Sequence, residues 1–460
     1  MELPKNISRR DFLKLAYAGG AGILASKYCY IFGQQSAIIP QSIVNQRKDY
    51  MDKLRIIKRN IQWFKNSGIM RPADGFWGVG ERILAVEGNE AIDKINKYFY
   101  CQTKLAPAVL AIEHRRADCN FEVALEFDIA SKALKDTSIM AIADNIVEFL
   151  TKRSALRHVQ ENSPTRDLWG WSMPLSSNAC WTDDNSWVIT MSLILARRGR
   201  GELKEVGVAA ARQMRKHMTD FYAHIDKNGK DAKYESEVMP GTNLSPHWLG
   251  LTTMAFSHAA VADPETDYKN VVSKYYEYAP LGPPKFMAEI RTPTITGLPW
   301  TLSEYGYLAF SAAVAAKQFD LDSARDAAKL AANSLVEHQH KDGHFAAEHD
   351  EAPIAAHLAD LVYTQNWATL GLYHAWLLFD RDEKYRKAFD KSLTFLAKIQ
   401  DKSKEKYFNG CWRGLYDTKA GKYGGGDKWE GGQGSIYSGW TNAPITLAFL
   451  FDVTGESLFT

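Results

Sequence analysis

Cys180-Trp181-Thr182-Asp183-Asp184-Asn185-Ser186-Trp187 runs straight into the apolar stretch Val188-Ile189-Thr190-Met191-Ser192-Leu193-Ile194-Leu195. The junction reads as a helix N-terminus. A short side-chain oxygen on Thr182 or Asp183 can accept from the free N–H groups of a first turn, so either can cap the helix. Asp183 and Asp184 then sit on that turn, at the mouth of whatever the helix lines. Trp187 follows them by four and three residues, which places its indole beside both acids. The plain structural meaning is an acidic helix start that favours the dipole, with tryptophans in the core. The chemical meaning is sugar hydrolysis. One acid protonates a leaving oxygen, another carboxylate serves as base or nucleophile, and the ring supports the sugar's C–H face.

Outward from this stretch the chain repeats itself. Phe319-Asp320-Leu321-Asp322 separates two helices, with Asp322 placed to cap the second, which ends at Gln339-His340-Lys341-Asp342-Gly343. Phe379-Asp380-Arg381-Asp382 makes the same turn later, and Arg197 to Gly201 makes an earlier one. The unit is helix, short turn, helix and longer polar loop, over roughly 50 to 70 residues. Each unit from residue 180 onward opens with a tryptophan among polar neighbours. These openings are Trp181/Trp187, Ser245-Pro246-His247-Trp248, Pro299-Trp300-Thr301-Leu302-Ser303-Glu304-Tyr305, Tyr363-Thr364-Gln365-Asn366-Trp367 and Tyr437-Ser438-Gly439-Trp440-Thr441-Asn442. If the hairpins close into a ring, all these starts share one rim, and the positive ends of the inner helices face one crater. That geometry would favour an anionic ligand. About a dozen helices suit closure better than an open solenoid.

Before the repeats, Arg47 to Lys65 is a basic amphipathic stretch. Arg71 to Glu81 is a glycine-rich loop holding Trp77 between Asp74 and Glu81. Ile139, Ile142, Ile146, Val147, Phe149 and Leu150 keep helical spacing. No long alternating run predicts a sheet domain. The first 35 residues read as an address. Ser8-Arg9-Arg10-Asp11-Phe12-Leu13-Lys14 precedes the weakly apolar run Leu15 to Ala25, which is similar to a twin-arginine export signal and too short for a comfortable span. Ser26-Lys27-Tyr28 before Cys29 makes a poor lipoprotein site. The expected location is the periplasm or beyond, with no stable membrane insertion once the signal is removed.

Composition narrows the class. Of 460 residues, 24% are charged and 45% hydrophobic, an ordinary globular balance, and the net charge of +2 gives no argument for nucleic acid or a membrane surface. Thirteen tryptophans and 21 tyrosines fit either a large core or a carbohydrate-type surface. Cys101, Cys119, Cys180 and Cys411 lack CxxC spacing and read as single buried cysteines. His338, His340, His344 and His349 have no firm zinc-helix spacing, so neither metal nor other cofactor is expected.

Helical hairpins closed into a toroid, with Trp-Thr-Asp-Asp-Asn-Ser-Trp opening an inner helix, resemble the six-hairpin glycosidases. The resemblance is architectural over residues 46–460 and residue-specific only at short motifs. Trp181 to Trp187 is similar to the Asp-Asp motif of bacterial α-1,6-mannanases, which implies catalytic Asp183 and Asp184. It is also similar to the Trp-x-Asp segment of unsaturated glucuronyl and rhamnogalacturonyl hydrolases, which implies one aspartate as general acid/base. Exo-acting β-glucuronidases of helical-toroid fold rank first as relatives because of the crater's expected charge. The element Tyr423 to Gly434, rich in glycine, matches neither motif pattern.

The sequence thus predicts an all-α, (α/α)6 toroid over residues 46–460 behind a signal at 1–35. Its predicted work is exported glycoside hydrolysis, exo-acting on a uronate-containing, anionic oligosaccharide or polysaccharide. Asp183, Asp184 and Glu304 are the candidate catalytic groups. Trp181, Asn185, Trp187, His247, Trp248, Trp300, Tyr305, Trp367, Trp412, Trp429 and Trp440 are candidate sugar-binding residues. Arg291 and Arg413, with His247 and Lys428, could hold a uronate carboxylate, since arginine presents a forked donor. Asp427 and Glu430 sit in the glycine-rich loop, a possible clamp. Asp342, Glu348, Asp350 and Glu351 read as solvated charge. Two other functions compete. A polysaccharide lyase would use Asn243, His247, Tyr305 and Tyr307, and a non-catalytic glycan-binding helical protein would not need paired acids. An α-mannan-type hydrolase keeps the acids and changes the sugar.

Overall fold

A helix that is apolar all round belongs inside a structure, whereas one with a single apolar stripe lies across its surface. Both kinds alternate along this chain. The computed structural model describes residues 41–86, 93–94, 97, 99, 101–174, 179–278, 282–290, 294–349, 352–426 and 432–459. In chain order the helices are α1 (Gln41–Asn66), α2 (Ala117–Leu134), α3 (Thr137–Glu148), α4 (Thr182–Arg197), α5 (Leu203–Asn228), α6 (Leu251–Ala262), α7 (Lys269–Tyr278), α8 (Lys285–Ile290), α9 (Leu302–Phe319), α10 (Asp322–His338), α11 (Gln365–Leu378), α12 (Glu383–Ile399) and α13 (Ala443–Thr454).

Helices α2, α4, α6, α9, α11 and α13 are buried over nearly all of their length. Each packs on the next, and α13 packs back on α2, so they close a ring. Helices α3, α5, α7, α10 and α12 each cover the inner helix that precedes them. Their patterning shows why: α12 buries Tyr385, Ala388, Phe389, Ser392, Leu393, Leu396 and Ile399 and leaves its charged residues outside. The sixth hairpin joins the two ends of the unit Asp52–Thr460. Asn60 of α1 accepts from Thr446 Oγ1 at 2.9 Å and donates to Asn442 Oδ1 at 3.0 Å, and Lys53 pairs with Asp452 at 2.6 Å. The repeat therefore already runs from Ala117. The predicted fold, an (α/α)6 toroid, is the fold observed.

Small residues bring the inner helices close. A Cβ on Gly306 of α9 would lie 2.7 Å from the backbone N of Ala368 in α11, nearer than any real Cβ. The matched turns are built alike, with Asp320 and Asp380 both left-handed at φ 51° and 49°. Caps differ from expectation at two starts. Leu321 occupies the cap of α10 and Asp322 is its first residue. Likewise Trp181 occupies the cap of α4, while Thr182 Oγ1 turns outward to the Pro240 carbonyl at 3.1 Å and Thr242 Oγ1 at 2.9 Å.

Short strands also occur, in the segments that feed the inner helices. Strands β1 (Arg82–Ala85), β2 (Gln102–Ala106), β3 (Val109–Ile112), β4 (Arg115–Arg116), β5 (Ser172–Met173), β6 (Leu358–Asp360), β7 (Leu415–Asp417), β8 (Lys422–Tyr423) and β9 (Ser435–Tyr437) form three small sheets. The largest, antiparallel in the order β2-β3-β1-β9, pairs Arg82 with Tyr437 and Ile83 with Ile436. Strands of two to five residues are too short to show alternation.

Candidate active site

The starts of the six inner helices meet in a chain of side-chain contacts. Trp440, in the single π-helical turn Ser438–Asn442 that leads into α13, donates from Nε1 to Asp118 Oδ2 of α2 at 2.6 Å. Arg116, just before α2, donates to Asp184 Oδ1 of α4 at 2.7 Å. Asp183 Oδ2 lies 3.2 Å from His247 Nε2, in the π-helical turn Pro246–Gly250 before α6. The pair is close but lacks hydrogen-bond alignment, since His247 Nε2 has no hydrogen-bond partner among the described residues. Glu304 of α9 accepts from the His247 backbone N–H at 2.8 Å and from Ser245 Oγ at 2.6 Å. Tyr307 of α9 stacks on Trp367 of α11 with centroids 5.2 Å apart, and Asn366 of α11 donates to the Trp440 carbonyl. All six N-termini thus border one crater.

Its acids are almost wholly shielded from solvent: Asp183 is 4% exposed and Asp184 3%. Burial pushes the Asp184 carboxyl well above the usual carboxylate range, with Arg116 opposing and Asp118 and Asp183 reinforcing the shift. Burial works against the charge on Arg116, yet Asp118 and Asp184 hold its proton well beyond the usual arginine range. Arg116 also grips Asp118 at 2.8 Å and reaches Glu81 at 3.5 Å, and Glu81 pairs with Arg82 at 3.1 Å. One oxygen of each central acid, Asp183 Oδ1 and Asp184 Oδ2, has no partner among the described residues. Beside them, burial and then Asp184 push the Cys180 thiol up to about 12, which keeps it protonated.

Aromatic rings line the crater. His247 lies flat between Tyr307, at 4.6 Å and 6° between planes, and Trp248, at 4.9 Å and 21°. Trp181 packs on Trp248 at 5.7 Å, and Trp440 meets His247 edge-on at 5.3 Å. One turn deeper, Trp187 stacks on Trp367 at 5.2 Å. His349, on the loop after α10, stacks on Tyr363 at 3.9 Å and lies 6.4 Å from the His247 ring.

The structure gathers Asp183, Asp184, Trp181, Trp187, His247, Trp248, Trp367 and Trp440, and it assigns other predicted residues to different work. Asn185 is taken up by backbone, accepting from Trp169 N–H at 2.8 Å and donating to the Trp169 and Trp181 carbonyls. Both Glu304 oxygens accept bonds that shape the 245–247 turn. Tyr305 is buried within reach of Ser334 on outer helix α10, and Trp300 is buried in the core. Trp412 donates to the Leu396 carbonyl at 2.9 Å and stacks on Phe449, between α12 and α13. Arg413 is held by Asp401 at 2.7 Å over the Phe408 ring. Asn243 bonds within its own loop, to Gly241 and Ser245. Glu348 is no solvated charge: fully buried, it accepts from the Leu302 N–H at 2.9 Å and so caps α9 from a distance. His340 and His344 stack on each other near Asp342. Arg291, Asp350, Glu351, Asp427, Lys428, Trp429, Glu430 and the 1–35 segment lie outside the described residues.

Arg116, Asp118, Glu122, His349, Tyr363 and Trp171, whose ring lies 5.8 Å from the Arg116 guanidinium, were missed as site residues. The signal was present in His114-Arg115-Arg116-Ala117-Asp118, an acid opening an apolar helix as at Asp184, but no tryptophan marks that opening.

A ring of six helical hairpins with its carboxylates at the helix starts defines a class of fold, and solved structures share it. No family profile and no curated protein sequence matches the chain. The unsaturated glucuronyl hydrolase of Bacillus sp. GL1 superposes with a TM-score of 0.53 at 10% identity, covering 88% of this chain and 97% of its own. The cellobiose 2-epimerase of Spirochaeta thermophila DSM 6192 gives 0.53 at 12% identity, covering 91% and 99%. An inactive variant of the α-1,6-mannanase of Salegentibacter sp. HEL1_6, with two consecutive aspartates replaced by alanine, is solved in complex with α-1,6-mannotetrose. The unmodified form of that mannanase gives 0.50 and the variant 0.51, each at 12% identity, covering 88% and 99%, and 86% and 98%. At these identities the likeness is one of fold.

Proposed function

We propose that the chain is an exported carbohydrate-active enzyme, a glycoside hydrolase that removes terminal sugars with Asp183 and Asp184. The observation that carries this is the state of the two acids. They are adjacent and buried on the first turn of α4, and each has one oxygen held near a neighbour and one oxygen without a partner. Burial raises the Asp184 carboxyl well above the usual carboxylate range, the direction a general acid needs. Asp183, beside the His247 imidazole, is the partner that activates water or attacks. The mannanase whose inactive variant lacks two consecutive aspartates supports the same assignment. Near-complete burial of the acids supports attack on a chain end, because a chain interior needs an open cleft. The twin-arginine-like start supports export.

A uronate substrate, the expectation from the helix dipoles, gains little support from the side chains. Arg413 is occupied elsewhere, and Arg116 is already bound to Asp118 and Asp184. Even with Asp184 and Glu122 protonated, Glu81, Asp118 and Asp183 outnumber Arg82 and Arg116 around the crater. An uncharged sugar fits that field better. The test is release of chromophore from α-mannoside, β-glucoside and β-glucuronide substrates by wild type and by Asp183→Asn and Asp184→Asn. Release from a neutral glycoside, lost in both variants, is expected. Turnover that survives both replacements would remove the assignment.

A second reading has its own observation. The His247 and His349 rings stand 6.4 Å apart at the crater, and two imidazoles suit proton transfer at the carbon beside a sugar carbonyl. The fold shared with a cellobiose 2-epimerase supports it. Deuterium uptake at C2 of mannose or cellobiose in D2O, followed by NMR, tests it. No uptake at any pH from 5 to 9 (a span of about four units around the His range) removes it.

A further inference from the structure

Near the acids lies a second set of buried polar groups. Glu122 lies one turn beyond Asp118 on α2, is 1% exposed, and has no hydrogen-bond partner on either carboxyl oxygen among the described residues. Tyr307 Oη and Trp187 Nε1 are likewise buried without partners there. The groups are neighbours. Glu122 feels the charges of Asp118 and Asp183, and Tyr307 feels those of Asp183 and Glu122. Tyr307 also forms the underside of the His247 ring and one edge of the Trp187–Trp367 stack. Buried polar groups are costly unless bonded, so this set calls for a polar occupant.

We propose that Glu122 and Tyr307 form the polar floor of the crater, a subsite that hydrogen-bonds the hydroxyl groups of an uncharged sugar ring. The inference rests on the crater being a sugar site and adds what that site selects. Its chemistry is complementary to a vicinal diol. Burial, reinforced by Asp118 and Asp183 and opposed by Arg116, raises the Glu122 carboxyl well above its usual range, and the protonated form of a carboxyl both donates and accepts. Tyr307 O–H does the same, Trp187 N–H donates, and Asp183 Oδ1 accepts. A uronate carboxylate placed here would meet the charges of Asp118 and Asp183 with no unoccupied cation among the described residues at the floor.

The experiment is titration of the full chain with D-mannose, D-glucose and D-glucuronate, followed by tryptophan fluorescence, with turnover measured separately. Glu122→Gln retains a neutral donor and acceptor and should bind the neutral sugar within about threefold of wild type. Glu122→Leu and Tyr307→Phe should each bind it about tenfold more weakly, the loss of one buried hydrogen bond. Glucuronate should bind at least about tenfold more weakly than the preferred neutral sugar. Tyr307→Phe removes one oxygen and preserves the stack, so it keeps the test valid if Glu122→Leu fails to fold. Affinity unchanged in Tyr307→Phe, tight binding of glucuronate, or no response to any of the three sugars would overturn the proposal. Sugar binding through Glu122 without cleavage of any glycoside would keep this floor and remove the hydrolase. Cleavage that ignores Glu122 and Tyr307 would do the reverse.

Discussion

Glu304 and Asp184 hold equivalent places, the first turn of an inner helix, and are used in opposite ways. On the α9 side of the crater the carboxylates are structural. Glu304 binds the Ser245 hydroxyl and the His247 N–H, and Glu348 binds the Leu302 N–H and Thr296. On the α2–α4 side are the carboxylates proposed as catalytic. Asp184 spends one oxygen on Arg116, Asp183 lies beside an imidazole, and each keeps an oxygen without a partner among the described residues. Glu304 and Asp184 are both carboxylic acids at the third residue of an inner helix. What separates a brace from a catalyst is where the lone pairs go.

Replacing the acids probes the chemical side and should have the largest effect. Asp183→Asn and Asp184→Asn are each expected to lower kcat/KM on the responsive glycoside by about 10²–10⁴-fold, the usual worth of a general acid or base. The melting temperature of Asp183→Asn should not fall, whereas Asp184→Asn weakens the pairing with Arg116 and should lower it by less than a Glu304 variant does, since Arg116 keeps Asp118. A drop in stability equal to that of a Glu304 variant would erase the contrast between the two sides.

On the structural side, Glu304→Gln should lower stability by about 1.5–3 kcal/mol, the worth of hydrogen bonds to a charged group. Activity should fall only about tenfold, through displacement of His247. Urea unfolding beside steady-state kinetics checks both. Gly306→Ala tests the packing that holds the two sides together. Its Cβ would press on the Ala368 backbone N, and a loss of about 1–3 kcal/mol is expected.

Glu122 sharpens the comparison through pH. Burial raises its folded value above its unfolded one, so its contribution is fully present below the unfolded Glu range and is lost as pH rises through the folded value. Glu122→Gln, which cannot ionise, should match wild type in urea midpoint at pH near 4 and exceed it increasingly toward pH 8, about the span above the usual Glu value. A constant difference at both pH values would show that the carboxyl is already charged.

The smallest effect belongs to Arg413. Held by Asp401 away from the crater, it should yield an alanine variant with turnover within about twofold of wild type and stability lower by about 1 kcal/mol or less. A large rise in KM for a uronide would return it to the substrate.

Much of this was open to inspection in the chain. Helical spacing, matched Asp-containing turns and a tryptophan at each later opening specify hairpins, because local backbone preference and apolar periodicity are written residue by residue. The Asp183-Asp184 pair was legible for the same reason, as two acids at a helix start. The first repeat was not, since the α2 opening lacks a tryptophan, and the short strands carry too few residues to alternate.

What the sequence could not assign was the partner of each polar group. Trp412 and Trp440 look alike in composition, yet one donates to the Leu396 carbonyl behind the ring and the other to Asp118 in the crater. Glu348 reads as a solvated acid and is a buried cap, because residue 348 meets residue 302 only when the loop after α10 folds back onto the start of α9. Arg116 and Asp184 stand 68 residues apart in the chain and 2.7 Å apart in space. Helix and turn are short-range properties that sequence alone determines. Burial, pairing and proton affinity depend on contacts between distant segments, and only the closed ring decides them.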